Sequence, residues 1–140
     1  MAEPTRNELL ISEFRANQGV VSEEGRPPRP LLLLTTKGRR SGASHTTPLV
    51  YLADGARFIV FGTHGGSPED PDWFRNLVVA GSATVEVLDE TFTARAVVIT
   101  GDERDRLYAT QVERFPQFAD YEKKVARVIP VVALEKVASA

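Results

Sequence analysis

The chain has 140 residues, of which 42% are apolar and 26% charged, and this length fits one domain around a single core. A net charge of −2 offers no broad attraction to nucleic acid or to an anionic bilayer. Cysteine is absent, which excludes disulfides and thiolate metal sites, and with two histidines we expect no bound metal. We read no signal peptide and no membrane span, and therefore predict a cytoplasmic protein.

The first third of the chain predicts a helix, a connector and a strand. Residues 7–18 carry apolar side chains at helical spacing, which indicates a short amphipathic helix. The charged, proline-rich stretch 21–30 is interpreted as a connector, because proline cannot propagate a helix or donate to a strand ladder. The apolar run 31–34, extended by two threonines, predicts a buried strand, and a polar loop follows over 37–45.

The middle of the chain predicts two hairpins separated by a helix. Residues 47–53 and 57–62 are rich in β-forming side chains and flank an Asp-Gly turn, which is typical of a hairpin. An acidic residue before proline and a terminal glycine place a helix at about 71–80. Alternating side chains over 83–89 and 90–100 predict the second hairpin.

The last third predicts helices and a final strand. A charged helix begins at Asp102 and runs to about Phe115, where Pro116 interrupts it. The helical pattern resumes over 118–128, so we expect either one kinked helix or two helices that meet at the proline. Residues 129–137 form the last strand.

Hairpins with inserted helices cannot build a parallel sheet, so the predicted fold class is α+β with an antiparallel barrel. One domain over 1–140 is expected, with the helix and connector in 1–29 and the barrel in 30–136.

A basic loop follows the first predicted strand. Lys37, Arg39 and Arg40 lie between and beside two glycines, and Ser41 adds a hydroxyl. Glycine lets backbone N–H groups turn inward, and the cations add donors that suit phosphate oxygens, so this segment is a candidate anion site. A solvated basic hairpin loop is the alternative that composition favours.

Two further segments are candidates for binding a flat ligand. Gly62-Thr63-His64-Gly65-Gly66 ends a strand and permits close approach of backbone to a ligand, although a flexible turn explains it as well. Trp73 lies at the start of a predicted helix, where free N–H groups favour anions, but a core anchor is the simpler account. Phe115, Phe118 and Tyr121 recur at intervals of three and can share one side of a helix. No hydrolase, metal or nucleic-acid motif accompanies them.

The order of these segments resembles the deazaflavin-dependent nitroreductase family of actinobacteria. The resemblance rests on LLLLTTKGRRSG, TTPLVYL, FGTHGG, PDWFRNL and FPQFADYEKKVARVIPVV, from about Leu31 to Glu135. It implies a split β-barrel, hydride transfer by coenzyme F420, a phosphate-bearing 8-hydroxy-5-deazaflavin with a polyglutamate tail, and homodimers in many members. It also implies a small-molecule substrate. Relatives can have a more apolar, membrane-associated N-terminal segment, whereas the charged residues of this one predict no stable membrane insertion: Glu3, Arg6, Glu8, Glu13 and Arg15.

The resemblance assigns cofactor-binding positions. The phosphate and tail side would be held by Arg39, Arg40, Ser41, His45, Thr46, Thr47, Pro48, Leu49 and Val50, where relatives commonly have arginine in place of the histidine. The deazaflavin ring would run along Phe61, Gly62, Thr63 and His64, where many relatives have Ser-Lys in place of Thr63-His64, and the site would be closed by Asp72, Trp73, Phe74, Arg75 and Asn76.

The substrate side would be formed by Phe115, Phe118 and Tyr121. Nitroimidazole-reducing relatives tend to carry tyrosine at the two phenylalanine positions, so the resemblance implies weaker nitro reduction here and retains Tyr121 as the catalytic proton donor, with ordered water as the alternative.

The resulting hypothesis is an F420-dependent reductase that passes a hydride to a planar electron-poor acceptor, whether a quinone, an activated alkene or a nitroaromatic. Two alternatives stay open: an FMN-binding oxidoreductase and a non-catalytic deazaflavin carrier.

Overall fold

Six antiparallel strands form a closed barrel in a computed structural model of the chain. The structure describes residues 5–17, 30–64 and 67–137. The elements in chain order are α1 (Arg6–Ala16), β1 (Leu31–Lys37), β2 (Ser44–Asp54), β3 (Arg57–Phe61), α2 (Asp72–Ala80), β4 (Ser82–Val87), β5 (Glu90–Ile99), α3 (Gly101–Arg114), α4 (Gln117–Lys124) and β6 (Val131–Lys136).

Each strand pairs with two neighbours in the order β1-β2-β3-β6-β5-β4, and β4 closes the barrel against β1. The α+β antiparallel barrel predicted from the sequence is therefore confirmed. The predicted connector lies outside the described residues except for Pro30. No helix among the described residues is long and apolar enough to cross a bilayer.

The four leucines that begin β1 show why this strand is apolar on both faces. Leu32 and Leu34 point into the barrel, where they meet side chains of β3, β4 and β6. Leu31 and Leu33 point outward and are covered by Leu10 and Phe14 of α1. The sequence of a strand that is covered on both faces is a continuous apolar run, whereas a strand covered on one face alternates apolar and polar residues.

Helix α2 closes one end of the barrel. Trp73 and Leu77, four residues apart and so on one face, pack into the interior cluster. Gly81 adopts the left-handed conformation with φ 77°, and its N–H caps the carbonyl of Leu77. The helix is amphipathic because only this face is buried.

A second apolar cluster lies outside the barrel, between β3, β5 and β6 on one side and α3 and α4 on the other. Phe61 and Ile59 project outward from β3 and meet Leu107 and Tyr108 of α3 and Phe118 of α4. Pro116 separates α3 from α4, so two helices meet at the proline.

Most predicted boundaries differ from the structure by one or two residues, and three of the differences have a clear physical reason. Strand β2 begins at Ser44 rather than residue 47, because its polar start still pairs with the end of β1, down to Lys37 opposite Ser44. Helix α4 ends at Lys124 rather than residue 128, since the chain turns extended at Val125. Strand β6 accordingly begins at Val131 rather than residue 129.

Candidate functional site

Two adjoining cavities form one elongated cleft along the barrel. One has a volume of about 340 Å³ and the other about 410 Å³, and Thr47, Asp72 and Trp73 line both. The first cavity is otherwise lined by Gly38, Arg39, Arg40, Ser41, His45 and Asn76. The second is otherwise lined by Asn7, Leu49, Phe61, Thr63, His64 and Pro71.

The loop between β1 and β2 forms the cationic end of the cleft. Gly38 N–H donates to the carbonyl of Ala43 at 2.7 Å, and Ser41 Oγ accepts from the N–H of Ala43 at 3.1 Å. A Cβ at Gly38 would lie 2.7 Å from Ser41 Oγ and 3.2 Å from His45 Nε2. Glycine at this position therefore allows a hydroxyl, an imidazole and the neighbouring arginines to gather around one small space.

Arg39 joins this loop to helix α2. Its backbone N–H and Nη1 both donate to Asn76 Oδ1, at 3.1 and 2.8 Å, and its Nη2 lies 3.2 Å from Asp72 Oδ1. Asn76 is buried, so its amide oxygen depends on these donors. Arg39 thus serves as a clamp as well as a cation, whereas Arg40 is exposed and has no ion-pair partner among the described residues.

One edge of β2 is open along the cleft. Strand β2 pairs with β1 from Ser44 to Val50, but β3 pairs only with its residues 51–54. Tyr51 N–H donates to the carbonyl of Pro30, so in the alternating antiparallel pattern residues 46, 48 and 50 direct their backbone polar groups away from β1. Proline has no backbone N–H, so Pro48 leaves no unpaired donor at this open edge.

The far end of the cleft is the segment that follows β3. Gly62 passes so close to Pro130 that a Cβ would lie 2.6 Å from its ring. His64 has φ 49°, in the left-handed region, and its Nδ1 lies 3.2 Å from the carbonyl oxygen of Glu69. A carbonyl can only accept, so Nδ1 carries the proton and Nε2 is the acceptor of the neutral ring. Residues 65 and 66 lie outside the described residues.

Aromatic rings connect this end of the cleft to the outer cluster. Phe61 lines the cleft and stacks edge-on against Tyr108 and Phe118, with ring centroids 5.8 and 5.7 Å apart. Tyr121 lies beyond Phe118 at 5.4 Å, and Phe115 contacts Phe118 at 6.3 Å. None of the three α4-side residues assigned to substrate lines the cleft, and Phe118 is only 7% exposed.

The structure brings most of the predicted cofactor residues together. Those that line the cleft are Arg39, Arg40, Ser41, His45, Thr47, Leu49, Phe61, Thr63, His64, Asp72, Trp73 and Asn76. Thr46, Pro48 and Val50 border it through the backbone of the open β2 edge; the Thr46 hydroxyl is hydrogen-bonded to Thr35. Gly62 is buried beside the cleft, Arg75 is exposed on α2, and Phe74 faces a separate apolar groove.

The sequence analysis assigned three lining residues to no cofactor contact. Gly38 and Pro71 lie within the predicted loop and helix, and their position next to Arg39 and Asp72 is a signal that could have found them. Asn7 has no such signal, because it reaches the cleft only through the packing of α1 on β1. Among the described residues, no group of acidic or histidine side chains is arranged to hold a metal ion.

The closed antiparallel barrel, with a cleft that is cationic at one end, defines a small split-barrel protein. Within that class, the chain belongs to the F420H2-dependent quinone reductase family, whose family model matches residues 9–136. The F420-dependent part of the sequence resemblance is thereby confirmed.

Individual relatives agree with this assignment. A Mycobacterium tuberculosis protein provisionally named as an F420H2-dependent quinone reductase is 35% identical over 78% of this chain and 92% of its own length. A solved structure described as an F420-H2 dependent reductase, FDR-A, is 30% identical, covers 76% of this chain and 95% of its own, and has a TM-score of 0.69. Another solved structure, described as a domain-swapped dimer, is 28% identical, covers 89% of this chain and 94% of its own, and has a TM-score of 0.71.

Proposed function

We propose that the chain is an F420H2-dependent reductase that transfers a hydride from the reduced deazaflavin to a planar electron-poor acceptor. Quinones are the acceptor class supported by the family and its relatives. The observation that carries the proposal is the cleft itself, with cations at one end and an open strand edge leading to an aromatic wall at the other.

The cationic end fits a phosphate. Arg40, the Ser41 hydroxyl and His45 offer donors around one cavity, and Gly38 leaves the space that a larger residue would fill. Charge-assisted hydrogen bonds of this kind are about twice as strong as neutral ones. Asp72 lies at the same cavity, but its carboxylate is paired with Arg39, which limits its repulsion of an anion.

The other end fits a flat ring. The outward-facing backbone groups of β2 and the segment at Thr63 and His64 supply hydrogen-bonding groups along two sides, and Phe61 and Trp73 supply apolar walls. When bound there, reduced F420 supplies the hydride, so no protein nucleophile is required. The role of this chain is to bind, orient and exclude water.

The acceptor would approach from the α4 side, where Phe115, Phe118 and Tyr121 lie. Tyr121 offers a phenolic O–H for the proton that accompanies hydride transfer, and ordered water is the other source. Because Phe118 is buried in the described structure, acceptor binding on this side would require α4 to shift or the acceptor to contact Phe61 directly.

The test is a titration of the purified chain with F420, FMN and haem, followed by fluorescence or absorbance, and then addition of menadione or an enone to the reduced complex. We expect micromolar F420 binding and acceptor-dependent reoxidation. The variant Arg40→Ala should bind F420 more weakly, and Arg114→Ala, an exposed arginine on α3 outside the cleft, is the matched control.

Other outcomes separate the alternatives. F420 binding without reoxidation by any acceptor would support a carrier. The absence of hydroxyl groups at Phe115 and Phe118 favours that alternative. Tighter binding of FMN than of F420 would contradict the cofactor assignment. Nitroaromatics belong in the same assay, and we expect them to react more slowly than quinones.

We further propose that the chain acts as one oxidoreductase domain, in the cytoplasm, and that it forms homodimers. A solved relative described as a domain-swapped dimer supports the dimer. Light scattering of the purified chain measures its mass in solution, and a monomer at all concentrations would contradict the dimer.

A further inference from the structure

Arg127, in the segment between α4 and β6, makes an unusual set of contacts with the chain that follows β3. Its Nη1 donates to the carbonyl of Gly62 at 3.1 Å, and its Nη2 to the carbonyl of Thr63 at 3.0 Å. Its Nε and Nη2 donate to the carbonyl of Ser67 at 3.2 and 3.1 Å. Nη1 also pairs with Asp70 at 2.7 Å, and the side chain is 15% exposed.

These contacts determine which way two peptide groups face. The carbonyl of one residue and the N–H of the next belong to a single planar trans peptide and point in opposite directions. Since Arg127 holds the carbonyls of Gly62 and Thr63, the N–H groups of Thr63 and His64 point away from the guanidinium. Neither N–H has an acceptor among the described residues.

The opposite side is the side of the cleft. Thr63 and His64 line the cavity, and Arg127 does not. His64 has a left-handed backbone conformation, which is unfavourable for residues other than glycine. Such a conformation persists only where neighbouring contacts hold it. Here the carbonyls on both sides of that residue are held, by Arg127 at Thr63 and by the N–H of Ser67 at His64.

We propose that Arg127 is a positioning residue that turns two consecutive backbone N–H groups, those of Thr63 and His64, into the cleft as donors for the acceptor atoms of a flat heterocyclic ring. The guanidinium acts through the backbone and does not contact the ligand. This inference rests on the proposed function for the identity of the ring, although the orientation of the two peptides does not.

Arg104 provides a matched control. It is as buried as Arg127, its Nε and Nη2 donate to the carbonyl of Ile129 at 3.2 and 3.0 Å, and it pairs with Glu122 and Asp105. It therefore supports the same region of the fold by the same chemistry but reaches no residue that lines the cleft. A purely structural role would make the two arginines equivalent.

The experiment compares Arg127→Lys with Arg104→Lys. Lysine keeps the charge but cannot serve four acceptors in the planar geometry of a guanidinium. We expect both variants to lower the melting temperature. Only Arg127→Lys should weaken F420 binding, by about tenfold or more, as expected for losing two ordinary hydrogen bonds, and shift the visible absorption band of the bound cofactor. In ¹H–¹⁵N spectra of the cofactor-free protein, the largest chemical-shift changes caused by Arg127→Lys should fall at Thr63 and His64. Those caused by Arg104→Lys should fall elsewhere.

A milder pair keeps the test decisive if Arg127→Lys fails to fold. Asp70→Asn removes the carboxylate partner of Arg127, and Asp105→Asn removes one of Arg104. We expect a smaller loss of F420 affinity for Asp70→Asn and none for Asp105→Asn. Equal F420 affinities within each pair would overturn the positioning role. If the unmodified chain binds no F420 while the two amide signals still move, the proposed function fails and the peptide orientation stands.

Discussion

The two ends of the cleft are built in opposite ways. At the cationic end, Arg40 and Ser41 are exposed side chains on a short loop, and His45 is exposed near the start of β2. In the part of the chain that the structure describes, Arg39 ties that loop to α2. At the other end, the groups that we propose bind the ring are backbone N–H groups, and largely buried side chains support them: Phe61 in the aromatic cluster and Arg127 beside the turn. We therefore expect substitutions at the cationic end to change ligand affinity with little effect on the free energy of unfolding. Substitutions at the other end should change both quantities.

The largest expected effect on stability is at the buried end. Phe118→Ala removes a ring that contacts Phe61, Tyr108 and Tyr121, and should cost about 3–5 kcal/mol of unfolding free energy. Phe115→Ala, at a half-buried ring, should cost roughly 1–2 kcal/mol. Chemical denaturation measures both, and equal losses would show that the cluster is not centred on Phe118.

At the exposed end, the effect should fall on binding instead. Replacing Arg39 and Arg40 together by alanine should weaken F420 binding by about 2–4 kcal/mol, the worth of two charge-assisted hydrogen bonds. Unfolding free energy should drop by only about 1 kcal/mol, because Asn76 keeps the backbone donor of residue 39. Calorimetry and denaturation test the contrast; unchanged affinity would mean that the loop is solvated surface.

Tyr108, in the aromatic cluster at the buried end, makes the stability of that end depend on pH. Its hydroxyl donates to the carbonyl of Phe118 at 2.6 Å, and burial, with a smaller contribution from Glu122, raises the pKa of Tyr108 to about 12. An unfolded tyrosine loses its proton near pH 10. Folding therefore keeps a proton that the unfolded chain gives up, and this contribution to stability is present below about pH 10 and is lost as the pH rises towards about 12.

The variant Tyr108→Phe should cost about 1–2 kcal/mol near neutral pH and should flatten the loss of stability between about pH 10 and 12. Burial also raises the pKa of Tyr51, so part of the slope should remain. Denaturation curves across that range measure the slope. An identical slope in the variant would contradict the assignment to Tyr108.

The smallest expected effect concerns Tyr121, whose ring lies next to Phe118 and outside the cleft. If it donates the proton, Tyr121→Phe should slow turnover by about tenfold or more and leave F420 affinity within about twofold. Stopped-flow reoxidation and titration measure the two quantities separately. Unchanged turnover would assign the proton to water.

Much of the fold was predictable because it depends on local patterns. The basic loop, the helix at Trp73 and the hairpins follow from turn residues and alternation, and the barrel follows from the hairpins. The start of β2 was missed because Ser44 and His45 are polar, and only pairing with Lys37 and Thr36 makes them strand. The end of α4 was missed because the residues after Lys124 retain a helical pattern, whereas long-range contacts hold them extended: Arg104 of α3 donates to the carbonyl of Ile129, and Arg127 donates to the carbonyl of Gly62 after β3.

The sequence by itself determined which segments form strands and helices, that they close into an antiparallel barrel, and that cations follow β1. Only the tertiary structure decided that Arg39 clamps its loop to Asn76, that Asn7 reaches the cleft, and that Arg127 holds the turn after β3. The reason is distance along the chain: Arg127 lies more than 55 residues from each group that it binds. No local periodicity records such a contact, since it exists only when the barrel brings the two segments together.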